Sequence, residues 1–403
     1  MLRPVAIAAA LIALVLLPYY AGTNTTITIA TQTLVWVVLA LSYNIVLGQT
    51  GLLSFCHAVF FGAGAFAASH IIVAADGGSW SGWPVWLTPV LAFGVGAATA
   101  FLLGLFLAGR TGVAFVMITL AISQLVIYLA IAFDSIFGGE GGIGIDRAYD
   151  DFLFGVASFG PQREAYWLVL TWALIAAGLI WLLRRTSFGM LAEATRENEE
   201  RVRFSGQSTW HIRLIALVIA GGFAGLAGAL HALNIEQVST DQFSLKTSAF
   251  ALFMCVIGGA RHFLGPVLGA TFLSVLDKVL PDYTSAWLLY LGLIFIVIVL
   301  YAPGGLAGIL GSLWSQYVRE RGTARPRRDA LIVMGFALAG LGLILIVEMA
   351  TSLGAALGFN AGDAINLFGV MVDPKSVLPW GVAIVALAGS ALLFRQVRQE
   401  AET

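Results

Sequence analysis

The sequence predicts an all-α polytopic membrane protein, and three observations carry this prediction. First, the 403 residues are 59% hydrophobic and only 11% charged, whereas soluble domains average about 45–50% and about 25%. Second, the apolar runs are continuous over roughly the 20 residues that a helix needs to cross a bilayer, unlike the alternating strands of a β-barrel. Third, 46 glycines permit the close helix contacts that stabilise bundles in lipid.

Hydropathy divides the chain into about twelve spans, about ten in a main bundle and about two near the C-terminus. They are predicted at residues 5–21, 27–47, 53–74, 85–109, 113–133, 165–183, 212–233, 247–258, 265–280, 285–302, 329–350 and 378–394. The first is expected to be a retained span, because the bulky Pro18-Tyr19-Tyr20 at its end does not suit signal cleavage. The short segments at 247–258 and 265–280 either tilt or are half-helices around a glycine-rich turn.

Glycine spacing predicts where helices pack most closely. "GGFAGLAGAL" at 221–230 places Gly221 and Gly225 four residues apart, the register that lets two backbones approach in lipid. The chain then divides once, at the basic linker "VRERGTARPRRDA" (318–330), which is too polar to span. We therefore expect a main transmembrane domain at 1–316 and an appended linker with a two-helix transmembrane extension at 317–403.

The basic residues predict the orientation of the chain. If the N-terminus is inside and the twelve spans alternate, sixteen of the 21 Lys and Arg residues fall inside and five fall outside. Cytoplasmic loops carry such an excess of positive charge. Both termini are therefore expected in the cytoplasm, together with the segment 184–213.

The segment 184–213 holds ten charged residues, in a chain with only 21 basic and 22 acidic residues. Its part at 188–203 has few helix breakers and predicts one short helix. Thr186 or Ser187 is suited to cap the start of that helix, and Gly206 to end it.

Acidic and basic residues alternate along this predicted helix. Glu197 and Arg201, and also Glu199 and Arg203, are four residues apart and are expected to form ion pairs. Interleaved charge of this kind is typical of a docking element, where it selects the partner and sets the register. The alternative is a solvated linker whose arginines only fix the topology.

"EATRENEERVRFSGQSTWHIRLIALVIAGGFAGLAGAL" (193–230) resembles the cytoplasmic loop of ABC-importer permeases, and more closely that of the permease subunits that import branched-chain (hydrophobic) amino acids. Four further stretches resemble the same family in the same order, at 41–66, 111–125 with 138–145, 238–270 and 301–310. Residues 317–403 have no counterpart in the family pattern. The resemblance assigns an ATPase-coupling role to Glu193, Ala194, Arg196, Glu197, Asn198, Glu200 and Gly206.

This resemblance implies a set of partners in a bacterial cytoplasmic (inner) membrane. They are a second homologous permease subunit, two cytoplasmic ABC ATPase subunits, a periplasmic or extracellular solute-binding protein, and membrane lipids. ATP and Mg²⁺ are expected on the ATPase subunits and no cofactor on this chain, because the sequence lacks the phosphate-binding pattern G-x-x-x-x-G-K-[ST]. The net charge of −1 implies no nucleic-acid partner, and Cys56 and Cys255 suit packing rather than a metal site.

Polar residues inside apolar segments are the candidates for a solute pathway, because polar groups in lipid usually face an interior. The translocation-path candidates are Asn44, Gln49, Ser54, His57, Thr119 and Gln124. For His57 alone, a structural hydrogen bond to a neighbouring backbone group is the preferred interpretation, and only the motif context supports a path role. A second glycine-rich stretch is expected on the outer face, where its amides could approach a ligand or a docked binding protein; it consists of Gly138, Gly139, Glu140, Gly141 and Gly142.

Two other classes of protein fit the sequence less well. A secondary transporter or channel would need intramembrane ionisable residues for ion coupling, and the main spans contain almost none. An intramembrane enzyme would need catalytic residues, but neither H-E-x-x-H nor G-x-S-x-G occurs. Within the importer reading, an aliphatic amino acid is the expected solute, and urea, short amides or small carboxylates are the alternatives.

Overall fold

The computed structural model describes the main bundle almost completely and the C-terminal part only in short pieces. The described residues are 14–19, 23–77, 80, 83–149, 159–282, 287–302, 304–309, 311, 365–367, 370–372, 380–382, 385, 388 and 389. The chain forms two compact units, one of Met1–Val275 with Val297–Ile309 and one of Leu276–Ile296 with Leu310–Thr403. The predicted boundary at 316/317 lies outside the described residues.

The described helices follow the apolar segments of the sequence. They are α1 (Asn24–Asn44), α2 (His57–Asp76), α3 (Thr88–Leu107), α4 (Gly112–Ala132), α5 (Asp134–Phe137), α6 (Gln162–Arg185), α7 (Ser187–Glu197), α8 (Glu199–Phe204), α9 (Thr209–Ile235), α10 (Leu245–Gly258), α11 (Gly265–Val279) and α12 (Trp287–Tyr301). A π-helical turn, Ile45–Gln49, extends α1. Short 3₁₀ turns lie at Val85–Leu87, Gly139–Gly141, Arg147–Tyr149, Thr240–Phe243 and Leu280–Asp282.

Six of these helical segments are long and apolar enough to cross a membrane: Asn24–Gln49, His57–Asp76, Val85–Leu107, Gly112–Ala132, Gln162–Arg185 and Thr209–Ile235. They coincide with the six predicted spans between residues 27 and 233, which confirms a helical polytopic membrane protein. The predicted segments at 247–258, 265–280 and 285–302 lie on the shorter helices α10, α11 and α12. The segments at 5–21, 329–350 and 378–394 lie wholly or largely outside the described residues, so the count of about ten plus about two spans stays a prediction.

Helix α9 lies at the centre of the bundle and packs against α3, α2 and α1. A Cβ atom added to Gly225 would lie 2.5 Å from the carbonyl oxygen of Ala92 and 2.9 Å from Cα of Gly96, both on α3. A Cβ on Gly221 would lie 2.8 Å from the carbonyl oxygen of Gly96. The predicted small-residue contact is therefore confirmed, because only residues without a side chain allow these two backbones to approach so closely.

Contacts between loops divide the bundle into two ends. One end, called the basic end here, contains residues 45–51, 108–110, 184–213 and 258–265. Arg196 reaches the carbonyl oxygen of Gly48, and Arg184 approaches the carbonyl oxygen of Arg261 at 3.5 Å. Most of the basic residues described in the bundle therefore lie at this end.

The other end, called the opposite end here, contains residues 76–88, 132–149, 159–162 and 236–245. A two-stranded antiparallel ladder joins β1 (Ile143–Gly144) to β2 (Gln237–Val238), and the indole of Trp172 donates a hydrogen bond to the Trp86 carbonyl. A second hairpin, β3 (Ile365–Leu367) with β4 (Val370–Val372), lies in the C-terminal part. Hydropathy predicted neither strand pair, because each strand has only two or three residues.

Candidate functional site

The charged segment folds as two short helices, so the prediction of one helix over 188–203 is wrong. Thr186 caps α7, since its hydroxyl accepts a hydrogen bond from the Gly189 amide at 3.4 Å. Asn198 then adopts extended backbone angles, and its side-chain oxygen accepts from the Arg201 amide at 2.9 Å to cap α8. Asparagine favours this role because its short amide competes with helical hydrogen bonds and replaces them at a helix start.

The break at Asn198 also changes the ion pairing. Within the fully described segment 184–213, the two predicted pairs with Arg201 and Arg203 do not form. Glu199 instead accepts from Arg213 at 2.6 Å and from the Thr209 hydroxyl at 3.0 Å. The hydrogen bond from Arg213 lowers the pKa of Glu199. This pair joins α8 to the start of α9, and Arg213 is only 5% exposed.

One face of the two short helices packs against the bundle, and the other faces outward. Ala192, Val202 and Ile212 form a small buried cluster that holds the helices in place. The outward face presents two large apolar side chains, Met190 and Phe204, and Phe204 is 90% exposed. Of the predicted coupling residues, five are exposed: Glu193, Glu197, Asn198, Glu200 and Gly206.

The other two predicted coupling residues, Ala194 and Arg196, are half-buried, and Arg196 turns into the bundle. Its Nη1 donates to the carbonyl oxygen of Gly48 at 2.6 Å. Its methylene groups cover Gly51, where an added Cβ would lie 2.9 Å from Cγ of Arg196. The sequence groups Arg196 with the coupling residues, but the structure joins it to the end of α1.

A pocket of about 430 Å³ opens beside α8 at the basic end. Glu199, Arg203 and Arg213 supply charged groups to its wall, and Trp210 supplies an indole ring. The pocket and the exposed Phe204 together give this surface both an apolar projection and a polar recess.

The chain at 51–56, between the π turn and α2, is not helical, although most of it is buried or half-buried. Thr119 of α4 accepts a hydrogen bond from the Phe55 amide at 3.2 Å, and Ser248 of α10 accepts from the Ala58 amide at 2.9 Å. Broken backbone at membrane depth is tolerated only where the protein satisfies its polar groups. Thr119, predicted as a path residue, is therefore engaged in holding this break.

Four of the predicted path residues come together at this break. Asn44, Gln49, Ser54 and His57 are all buried, and His57 is fully enclosed. The Ser42 hydroxyl lies 3.3 Å from Nε2 of His57. This contact is with a side chain and not with a backbone group, and Nδ1 of His57 has no hydrogen-bond partner.

The same group contains more unpartnered polar atoms than a packed interior normally holds. Tyr43 Oη, Asn44 Oδ1, His57 Nδ1 and both polar side-chain atoms of Gln49 are buried without a hydrogen-bond partner. Buried polar atoms are nearly always satisfied by protein, water or ligand. Tyr43, Asn44, Gln49 and His57 are called the polar turn below. Gln124 of α4 is half-buried, and the structure gives it no hydrogen bond to the polar turn.

A second polar network, missed by the sequence reasoning, lies at the opposite end and centres on Arg147. Its guanidinium donates to the carbonyl oxygens of Phe159 at 2.7 Å, Leu233 at 2.8 Å and Gly160 at 3.0 Å. It also donates to the Gln162 side-chain oxygen at 2.8 Å. Burial lowers the pKa of Arg147, which Glu236 and Asp146 act to raise.

From Gln162 the network continues into the bundle. The Gln162 amide donates to Asn234 at 2.8 Å, and the Asn234 amide donates to Gln32 at 3.1 Å. The same Gln32 oxygen lies 3.1 Å from Nδ1 of His231, whose Nε2 lies 3.2 Å from the amide nitrogen of Gln242. Polar residues within apolar spans were the available signal, but Gln32, Gln162 and Asn234 lie outside the stretches that resemble the family.

The glycine-rich stretch at the opposite end is packed against a strand. Gly138, Gly139 and Gly142 have positive φ angles, and Glu140 lies in the 3₁₀ turn that also contains Gly141. The Gln237 side chain donates to the carbonyl oxygen of Gly141 at 3.0 Å. The predicted approach of these amides to a ligand stays a prediction.

The described residues contain no group of three or more His, Cys, Asp or Glu side chains that could hold a metal ion. Cys56 and Cys255 are buried and free. The thiol of Cys255 donates to the carbonyl oxygen of Ala40 at 3.0 Å. Cys255 therefore links α10 to α1, whereas Sγ of Cys56 lies 3.3 Å from the hydroxyl of Ser54 in its own segment.

Comparison with known proteins places these features in a family context. A family described as the permease component of branched-chain amino acid transport systems matches residues 25–303. The chain is 30% identical over 300 residues to the high-affinity branched-chain amino acid transport system permease protein LivM of Salmonella typhimurium, covering 69% of each chain. It is 29% identical over 303 residues to LivM of Escherichia coli, covering 70% of this chain and 69% of the relative.

A shorter similarity extends to another permease. The chain is 34% identical over 134 residues to the autoinducer 2 import system permease protein LsrC of Escherichia coli, covering 32% of this chain and 36% of the relative. No solved structure gives a significant match.

Proposed function

The chain belongs to the family of branched-chain amino acid transport system permease components, and we propose that it forms half of the translocation path of an ATP-driven ABC importer. The observation that carries this proposal is the combination of family membership with an outward-facing, anchored pair of helices at one end of the bundle. The exposed Phe204 on this surface supplies an apolar contact for a partner. A partner that covers it would bury the ring.

The basic end is the cytoplasmic end in this proposal. The arginines of 184–213 share this end with Arg110 and Arg261, which accords with the excess of basic residues in cytoplasmic loops. Both termini are then cytoplasmic. The protein is an integral component of the bacterial inner membrane, with its opposite end toward the periplasm or the exterior.

Helices α7 and α8 form the coupling surface. Glu193, Glu197 and Glu200 present negative charge beside Met190 and Phe204, so the surface combines apolar anchors with a charged rim. Buried anchors supply most of the binding energy at protein interfaces, and rim charges select the partner. One cytoplasmic ATPase subunit binds each permease subunit here and carries the ATP and Mg²⁺.

The polar turn is the part of the path that this chain contributes near the cytoplasmic end. Its unpartnered groups are neutral amides, a phenol and an imidazole. Such groups can exchange hydrogen bonds with a passing zwitterion without trapping it, because no fixed charge opposes its release. The second permease subunit completes the path, and a separate binding protein delivers the solute to the opposite end.

The solute is a branched-chain or related hydrophobic amino acid. The names of the LivM relatives support this choice. Urea, short amides and small carboxylates are the alternatives, because uncharged amide and hydroxyl groups also suit them.

Reconstitution in proteoliposomes tests this function. The chain is co-purified with its second permease, its ATPase subunits and its binding protein, and uptake of radiolabelled leucine, urea and propionate is measured with ATP or a non-hydrolysable analogue inside. We expect leucine uptake that requires hydrolysis. Uptake independent of ATP would refute the importer, and hydrolysis-dependent uptake of urea alone would transfer the assignment to the amide alternative.

Charge reversal tests the coupling surface separately. Glu193→Arg with Glu200→Arg should release the ATPase subunit, measured by co-purification, while the permease remains folded. The control, Asp241→Arg, changes an exposed acid at the opposite end and should leave ATPase binding intact. Retention of the ATPase by the double variant would remove these acids from the interface.

A further inference from the structure

We propose that Arg196 is a positioning residue that transmits movement of α7 to the polar turn, so that the coupling surface and the path move together. This inference rests on the proposed importer function. It assigns to Arg196 a task different from docking, because its guanidinium faces the bundle and not the exposed surface.

The first step is the attachment of Arg196 to α1. Its Nη1 donates to Gly48 at 2.6 Å across a separation of 148 residues along the chain. Gly48 lies in the last turn of the helical segment Asn24–Gln49, where carbonyl groups lack helical partners and the helix dipole favours a cation. Arg196 therefore completes the end of this helix from another part of the chain.

The second step is the fit around Gly51. This residue has a φ of +73° and follows the π turn. An added Cβ there would lie 2.9 Å from Cγ of Arg196 and 3.6 Å from its Cβ. The arginine stem thus lies directly on the backbone, so α7 cannot shift without displacing either the stem or the chain at 48–51.

The third step leads from Gly48 to the polar turn. A Cβ on Gly48 would lie 2.7 Å from Cγ of Asn44 and 2.6 Å from the carbonyl oxygen of Ala260. The peptide held by Arg196 therefore also contacts an unpartnered path residue and the connection between α10 and α11. Movement of this peptide changes the position of Asn44 and of the adjacent Gln49.

The π turn supplies the conformational freedom that this transmission needs. Ile45–Gln49 has the wider i→i+5 geometry, which occurs mostly as single turns and often at functional sites. The Thr50 hydroxyl and the Leu52 amide both bond to the Val46 carbonyl. Because two donors share the Val46 carbonyl, the turn can lose one of these hydrogen bonds during a rearrangement and keep the other.

The test compares Arg196→Gln with Arg196→Lys in the complete reconstituted transporter. Co-purified ATPase, basal ATP hydrolysis and leucine transported per ATP are measured for each variant. We expect Arg196→Gln to retain the ATPase and to keep basal hydrolysis within twofold of wild type. Leucine transported per ATP should fall at least tenfold, and Arg196→Lys, which keeps a cationic donor, should recover part of it.

A matched control changes an arginine that does not reach α1. Arg110→Gln alters an exposed residue of the same end that lies between α3 and α4, outside the coupling surface, and should leave transport per ATP within twofold of wild type. Hydrogen exchange of the amides at 45–52 gives a readout that does not depend on transport, and it should accelerate in Arg196→Gln but not in Arg110→Gln.

Three results would overturn the inference. They are an unchanged transport ratio in Arg196→Gln, loss of the ATPase from that variant, which would make Arg196 a docking residue, and unchanged exchange at 45–52. If the glutamine variant does not fold, Arg196→Lys is measured alone. Loss of the co-purified ATPase from Arg196→Lys, with normal leucine transport per ATP, would then also overturn the inference. Absence of ATP-dependent uptake in the wild-type complex would instead refute the proposed function, and with it the role of Arg196.

Discussion

Replacing Arg147 with methionine should weaken the opposite end of the bundle more than any exposed substitution there. Methionine keeps much of the side-chain length but donates no hydrogen bond. The change leaves the oxygens of Phe159, Gly160, Leu233 and Gln162 without the guanidinium that now binds them at 3.0 Å or less.

The magnitude follows from these contacts. Hydrogen bonds to a charged group each contribute about 1.5–3 kcal/mol, so four would sum to about 6–12 kcal/mol. That sum is an upper bound, because the arginine also loses hydration on burial and because water can reach acceptors at the end of a bundle. Leaving a buried neutral acceptor unsatisfied costs about 1–3 kcal/mol, and we expect Arg147→Met to lower the free energy of unfolding by about 2–6 kcal/mol, the cost of two such acceptors.

Equilibrium unfolding in mixed detergent micelles, followed by far-UV circular dichroism, measures this difference. Arg163→Met is the matched control, because Arg163 is exposed at the same end, and it should cost less than about 1 kcal/mol. Equal losses from the two substitutions would refute the reasoning. The same result would show that the network to Gln32 does not depend on its charged member.

Three further predictions concern other contacts. Gly225→Leu should prevent folding or assembly, measured as loss of a monodisperse peak in size-exclusion chromatography, because the α3 backbone occupies the space of its side chain; normal elution would contradict this packing. Asn198→Ala should join α7 to α8 by removing the cap of α8, and site-directed spin labels on the two helices should report a changed distance; an identical distance would show that the break does not need asparagine. Because the pKa of Glu199 is lowered, its contribution to stability is complete above the ordinary carboxyl pKa of about 4.3 and is lost as the pH falls through its lower folded value; the Tm difference between wild type and Glu199→Gln should therefore shrink in acid, and a pH-independent difference would contradict this pairing.

The spans could be predicted from the sequence because their signal is local. An apolar run of about 20 residues specifies a membrane helix whatever its neighbours are. The packing of Gly221 and Gly225 was also predictable, since a four-residue spacing of glycines marks a helix face. The polar turn could be located for the same reason, because Asn44, Gln49 and His57 lie within fourteen residues of one another in the sequence.

The remaining features depend on distant partners. The direction of Arg196 follows from a contact with Gly48, and the network of Arg147 depends on carbonyl oxygens near residues 160 and 234. No periodic pattern encodes such contacts, because a backbone carbonyl is available at every residue. The break at Asn198 was missed for a different reason: its surroundings favour helix, and a single capping side chain decided the outcome.

Both arginines act on the same helix, and this explains why their positions matter together. Arg196 holds the Gly48 end of the segment that begins with α1, while Arg147 reaches Gln32 on α1 through Gln162 and Asn234. Gln32 and Asn44 are twelve residues apart, a separation of about 18 Å at 1.5 Å per residue. The α-helix transmits displacement along its axis as far as Asn44, so in the proposed mechanism the Arg147 network resists the movement that Arg196 passes to the π turn. Loosening the Arg147 network should therefore reduce coupling even though it lies far from the ATPase, whereas loosening an isolated structural contact would reduce stability alone.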